Sequence, residues 1–148
     1  MNRFEMDPRA WAQTHFAGAQ LGDRRRSARL VTVAAQIAAD PLASLPGQTE
    51  TWADLKAAYR LFDAPEVTFQ AIATPHWQLT RQGPSGRTLI LDDTTELDFG
   101  AHRQIEGLGP VGSGIGRGFL VHSALMVASQ TEAIHGLAGL SLSASFVH

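Results

Sequence analysis

The densest group of charged side chains is a cluster of arginines near the start of the chain. Arg24, Arg25, Arg26 and Arg29 fall within six residues, and eleven of the twelve cationic residues of the chain are arginine. The planar guanidinium suits phosphate oxygens and base edges, so the cluster indicates a polyanionic partner. A solvated helix face has the same pattern, and the cluster by itself leaves both interpretations open.

A second candidate is the pair Asp92 and Asp93, which follows the apolar run Thr88–Leu91. Carboxylates at a strand end, next to threonine hydroxyls, suit a hard cation such as Mg²⁺. An acidic cap where a strand enters a turn is the alternative. The chain has no cysteine, which excludes disulfides and thiolate metal sites, and its six histidines lack the spacing of a metal pair on a helix.

The segment Gly107–Gly112 satisfies the pattern G-x-G-x-x-G. A dinucleotide site requires a strand before this pattern and, after it, a helix whose N-terminus faces the pyrophosphate. Here a β-type run follows, and Pro110 removes an amide donor. We therefore predict that the glycine-rich segment 107–118 is a mobile hairpin loop.

Charge is divided unevenly along the chain, although the formal net charge is only −2. Residues 1–87 carry ten cationic and eight acidic residues, whereas residues 88–148 carry two and six. A composition of 44% apolar and 18% charged residues is that of a globular protein. No apolar run approaches the ~20 residues that span a bilayer, and no signal-peptide pattern opens the chain, so we expect a cytoplasmic protein without membrane contact.

The first half of the chain contains residue patterns that predict helices. Asp7 before Pro8 predicts an N-cap and a short helix that ends near Gly18. Asp23 is the predicted N-cap of a second helix over residues 24–39, which carries the arginine cluster.

Two more helices follow. Thr51 and Asp54 have the spacing of a capping box and predict a third helix. Its expected apolar face consists of Leu55, Ala58, Tyr59 and Phe62. Thr68 caps a fourth helix, which we expect Pro75 to kink or interrupt.

The second half changes to β-type patterns. Apolar runs at Thr88–Leu91, Phe119–Ala128 and Ala133–Leu137 predict three strands paired as an antiparallel meander. Gly83–Gly86 is the predicted linker between helices and strands. The fold class is therefore predicted to be α+β.

Several blocks of the chain resemble, in order and spacing, bacterial cut-and-paste transposases of the DDE type. Those that resemble the N-terminal DNA-binding domain are Trp11–Ala12, Phe16, Leu21–Arg26, Arg29–Leu30, Pro41–Gln48 and Ala57–Phe62. Those that resemble the start of the RNase H-like catalytic domain are Leu91–Leu97, Gly107–Gly109 and Arg117–Ser123. The resemblance implies a helical domain that binds transposon ends over residues 1–82 and the first strands of a catalytic domain over residues 87–148.

The resemblance also implies roles for particular residues. In the family the helical domain binds the inverted-repeat ends of the element, with arginines at the positions of Arg26, Arg29 and Arg60 close to double-stranded DNA. We expect DNA contacts from six cationic residues, namely Arg24, Arg25, Arg26, Arg29, Lys56 and Arg60. Asp93 matches the first of three catalytic carboxylates, which in the family hold two divalent ions such as Mg²⁺ for strand cleavage and transfer.

The chain departs from the family pattern in its catalytic part. The second Asp and the Glu of the family belong to segments beyond the third predicted strand, no acid after Asp98 matches them, and the last nine residues leave the resemblance. We therefore expect a truncated transposase that binds transposon ends, binds Mg²⁺ weakly or not at all, and cannot catalyse transposition alone. We also expect the exposed face and edge of the partial sheet to make the chain associate with itself, pair with an intact transposase or be covered by the helical domain.

Two other classes of function stay open on sequence alone. A metal-dependent nuclease would use Asp92 and Asp93 together with Glu96 or Asp98. A non-catalytic interaction module would use the arginine cluster to bind another protein.

Overall fold

The first two helices begin where an aspartate caps them. The structure is a computed structural model that describes residues 6–83, 85–100, 104–112 and 115–144. Helix α1 (Pro8–Phe16) follows Asp7, whose carboxylate accepts a backbone N–H of the first turn at 2.8 Å. Helix α2 (Arg24–Ala39) follows Asp23, which accepts in the same way at 2.7 Å. Both predicted helices and both caps are confirmed.

Threonines cap the two later long helices. The Thr51 hydroxyl oxygen accepts from the Asp54 backbone N–H at 3.1 Å at the start of α4 (Trp52–Phe62), which confirms the predicted cap. Thr68 caps α5 (Phe69–Gln82) in the same way, also at 3.1 Å. Sequence reasoning missed the one-turn helix α3 (Leu45–Gln48).

Pro75 lies inside α5, so the expectation that it kinks or interrupts this helix is corrected in part. The helix continues through this residue to Gln82 and is not interrupted there. Proline has no backbone N–H, so it removes one hydrogen bond from the helical ladder. The remaining bonds on both sides of Pro75 are enough to keep the segment helical.

The chain divides into two compact units, which we call the helical unit (residues 1–79) and the sheet unit (residues 80–148). The helical unit has a hydrophobic core made by α2, α4 and the turn before α2. Its buried members are Ala19, Leu21, Leu30, Val33, Ala58 and Leu61. Removing these apolar surfaces from water is the main stabilising contribution to the unit.

The sheet unit contains four antiparallel strands, and the third of them is central. The strands are β1 (Thr88–Asp98), β2 (Gly109–Val111), β3 (Gly116–Ala128) and β4 (Ile134–Ser143). Strand β1 pairs with one edge of β3, and β2 and β4 pair with its other edge. The predicted antiparallel arrangement of three strands is confirmed, and the fold is α+β. The predicted loop over 107–118 is corrected, because it contains β2 and the start of β3.

Strand β1 is longer than the apolar run that predicted it. Asp92 and Asp93 were expected at its end, but they lie in its middle, opposite Ala124 and Ser123 of β3. Ten of the eleven residues of β1 are exposed, so its carboxylates stay hydrated. Backbone pairing of β1 with β3 therefore continues past Asp92 and Asp93 to Asp98.

Candidate nucleic-acid interface

Four of the six cationic residues expected to contact DNA are fully available on the surface. Arg24 and Arg25 are exposed in the first turn of α2, and Lys56 and Arg60 are exposed on α4. None of these four side chains forms an ion pair with a carboxylate of the described residues. Each therefore offers its charge to a polyanion without first breaking an ion pair within the described residues.

Arg26 is partly buried and engaged within the helical unit. One guanidinium nitrogen, Nη1, lies 2.9 Å from a carboxylate oxygen of Glu66 and donates to the Leu21 carbonyl at 3.0 Å. A hydrogen bond from its own backbone N–H holds the pKa of the Glu66 carboxyl below its usual range, and the Arg26 charge lowers it further. Arg26 thus ties the start of α2 to the segment that leads into α5.

Arg29 forms a second internal ion pair. Its Nη1 lies 3.1 Å from Oδ1 of Asp54, whose Oδ2 accepts the Thr51 hydroxyl at 2.7 Å. The Thr51 hydroxyl, and then Arg29, hold the pKa of the Asp54 carboxyl below its usual range. The pair links the middle of α2 to the first turn of α4. Contact of Arg26 and Arg29 with DNA stays a prediction, and each would have to use guanidinium nitrogens outside its ion pair.

The outer face of α4 combines aromatic and cationic side chains. Trp52 is 71% exposed and Tyr59 is 47% exposed, and Lys56 lies between them at the i, i+4, i+7 spacing of one helix face. Large exposed aromatic residues beside cations are typical of an interaction surface. Sequence reasoning missed Trp52, although this spacing was a signal that could have identified it.

The predicted apolar face of α4 is therefore corrected in two positions. Tyr59 and Phe62 are 47% and 43% exposed, although both were expected on the apolar face of the helix. The buried positions are Leu55, Ala58 and Leu61, which recur every three residues. This stripe faces the core of the helical unit, and it leaves the two aromatic rings at its margin.

The candidate metal ligand Asp93 lies on an apolar face of the sheet. Side chains alternate along a strand, so Asp93 shares a face with Leu91 and Leu97, which are 52% and 43% exposed. Its Oδ2 accepts the Thr95 hydroxyl at 3.1 Å. Among the structurally described positions, no second carboxylate joins Asp93 on this face of β1.

The three other acids of β1 project from the opposite face. Asp92, Glu96 and Asp98 alternate with Asp93, so β1 does not bring together the set that the nuclease interpretation requires. Glu96 accepts the Gly112 N–H at 2.9 Å, and Asp98 accepts the Gly100 N–H at 2.7 Å. Both carboxylates thus hold neighbouring backbone segments in place, at Gly112 and Gly100, near the end of β1.

The metal chemistry expected from the resemblance does not fit the donors in this part of the chain. Within the described ranges, no group of three or more histidines, aspartates or glutamates is placed to hold a metal ion. Two divalent ions in a phosphoryl-transfer site require several converging carboxylates, and Asp93 supplies one. No described helix is long and apolar enough to cross a membrane.

Comparison with known families gives a match within the helical unit. Residues 8–67 match the family model for the transposase DNA-binding domain. The matched segment runs from α1 through α4 and contains all six predicted DNA-contact residues. The match supports a transposase N-terminal domain in this part of the chain, and it supports DNA as the partner of that domain.

Proposed function

We propose that this chain is a transposase-derived protein that recognises the inverted-repeat ends of a mobile element. The observation that carries the proposal is the position of four exposed cations on α2 and α4, inside the segment that matches the transposase DNA-binding family. None of the four is paired with a carboxylate of the described residues. The described part of the sheet unit carries no cluster of cations of similar density.

The two internal ion pairs support this role by positioning α2. Arg26 bonds to Glu66 and Arg29 to Asp54, so α2 is held to the segment before α5 and to α4. Contacts to phosphates fix the register of a protein on a duplex, and their spacing must be constant for this to work. In our proposal, Arg24 and Arg25 contact phosphates from one helix.

The outer face of α4 supplies the second half of the interface. Lys56 and Arg60 are proposed to contact phosphates, and the rings of Trp52 and Tyr59 to pack against sugars and bases beside them. Contacts to bases give sequence preference, which phosphate contacts alone do not. This division predicts that removing the aromatic rings reduces preference for the terminal repeat more than it reduces binding to random DNA.

We further propose that the sheet unit corresponds to the first strands of an RNase H-like catalytic domain of the DDE type. The antiparallel strands and the placement of Asp93 within β1 support this assignment. Because the site has one carboxylate, we propose that the chain by itself binds transposon ends without cutting them.

Binding is tested with two duplexes of equal length, one carrying the terminal repeat of the parent element and one with the same bases shuffled. Affinity is measured by fluorescence anisotropy between 50 and 200 mM salt. Each neutralised phosphate contributes about −0.9 to the slope of log affinity against log salt, so four exposed cations predict a slope of about −3.6. Equal affinity for the two duplexes, or no binding at the lowest salt, would contradict the proposal.

Catalysis is tested separately, by incubating the chain with a transposon-ended plasmid and Mg²⁺ or Mn²⁺. We expect no excision and no nicking. Nicking that disappears in Asp93→Ala would instead favour the nuclease interpretation. Added to an active transposase with the same ends, the chain should lower excision in proportion to dose, either by occupying the ends or by pairing with an intact subunit.

A further inference from the structure

Two histidines from distant parts of the helical unit meet between α1 and α5. Nδ1 of His15 lies 2.9 Å from Nδ1 of His76, and the ring centroids are 4.8 Å apart. Both rings are partly buried. The Trp11 ring lies 5.2 Å from His15, and the Phe16 ring stacks on His76 at 6.1 Å. Aromatic rings of α1 thus flank the pair.

The separation of the two nitrogens identifies the kind of contact. Two imidazole nitrogens bound to one tetrahedral zinc at about 2.0–2.1 Å would be about 3.4 Å apart. A hydrogen bond from nitrogen has donor–acceptor distances of about 2.7–3.2 Å, which includes the observed value. One Nδ1 therefore donates and the other accepts, which requires that the accepting nitrogen carry no proton.

The surroundings of the pair oppose protonation of both rings. Burial lowers the pKa of His15, and burial followed by the charge of His15 lowers the pKa of His76. The other charged side chains of these helices bond elsewhere, since Arg9 donates to a hydroxyl of α2 and Arg81 to a carbonyl of β4.

We propose that His15 and His76 form a pH-sensitive contact, which holds α1 against α5 while the rings are neutral and is lost when both are protonated. Above the ordinary histidine value of about 6.5 the contact is fully present. As the pH falls below that value, the open form takes up protons that the closed contact excludes. The opening equilibrium then rises up to tenfold per pH unit for one excluded proton, or a hundredfold for two.

The test compares urea unfolding of the full chain at pH 7.5 and pH 5.5, followed by helical circular dichroism. His15→Asn places an amide near the position of Nδ1 that cannot be protonated. The matched control is His135→Asn, in β4 of the sheet unit. We expect the unfolding constant of the wild type and the control to rise more than that of His15→Asn, by up to about tenfold for one excluded proton. Equal rises in all three proteins would overturn the proposal.

A second measurement does not depend on any variant folding. The ring signals of His15 and His76 are titrated by NMR in the wild-type chain. We expect both to titrate below the ordinary histidine value, with the tautomers that one Nδ1 donor and one Nδ1 acceptor require. Titration of both rings at the ordinary value would overturn the proposal. The proposal concerns the α1–α5 contact alone, so loss of DNA binding in other experiments does not affect it.

Discussion

Replacing Arg60 by alanine should remove one phosphate contact without weakening the fold. The side chain is exposed on α4 and forms no ion pair with a carboxylate of the described residues. With four available cations the slope of log affinity against log salt is about −3.6, and with three it is about −2.7. Between 50 and 200 mM salt the wild-type affinity should therefore fall about 150-fold, and that of Arg60→Ala about 40-fold.

The matched control is Arg117→Ala, which removes the same charge from an exposed position of β3 in the acidic half of the chain. Arg103, another candidate control in that half, lies outside the described residues. Affinities are measured by anisotropy with a labelled terminal-repeat duplex, and melting temperatures are measured on the same samples. Arg117→Ala should keep the wild-type slope, and both variants should keep the wild-type melting temperature.

Arg29→Ala completes the series because it separates contact with DNA from support of the fold. We expect weaker binding than in Arg117→Ala, together with a lower melting temperature, because Asp54 loses the partner that links α2 to α4. A slope of log affinity against log salt that is less negative than the wild-type slope by about 0.9 would identify a direct phosphate contact of Arg29 as well. If Arg60→Ala and Arg117→Ala change the slope equally, the binding is a generic charge effect and the interface on α2 and α4 is refuted.

Three further predictions concern stability. Gly118→Ala places a Cβ against a carbonyl oxygen of the paired strand β1 and should cost about 1–3 kcal/mol in urea unfolding, whereas Gly139→Ala meets only ordinary contacts and should cost less. The Thr51 hydroxyl is the main reason that the pKa of Asp54 lies below its usual range. The stabilisation by the ionised Asp54 carboxylate is therefore complete above about pH 4 and is lost on further acidification. Asp54→Asn should flatten that part of a plot of melting temperature against pH. Asp23→Ala removes the N-cap of α2 and should cost about 0.5–2 kcal/mol in thermal unfolding, and no loss would contradict the capping argument.

Helix boundaries were the part of the fold most accessible from sequence. Asp7, Asp23, Thr51 and Thr68 cap helices at the predicted positions. A capping side chain bonds to a backbone group two or three residues away, so the signal and its effect lie in the same short segment. Strand pairing joins residues far apart in the chain, and the apolar run at residues 88–91 could not indicate that β1 extends to Asp98.

The residue types of the candidate interface were also evident from sequence, because a dense arginine cluster is visible without a fold. The sequence by itself determined the cationic character of α2 and the resemblance to a transposase DNA-binding domain, which the family match over residues 8–67 supports. Only the tertiary structure decided which cations are available. Arg26 and Arg29 form ion pairs with carboxylates that lie 40 and 25 residues further along the chain. His15 contacts His76, which is 61 residues away in sequence. Such contacts depend on how helices pack, and packing is set by the whole core rather than by any local pattern.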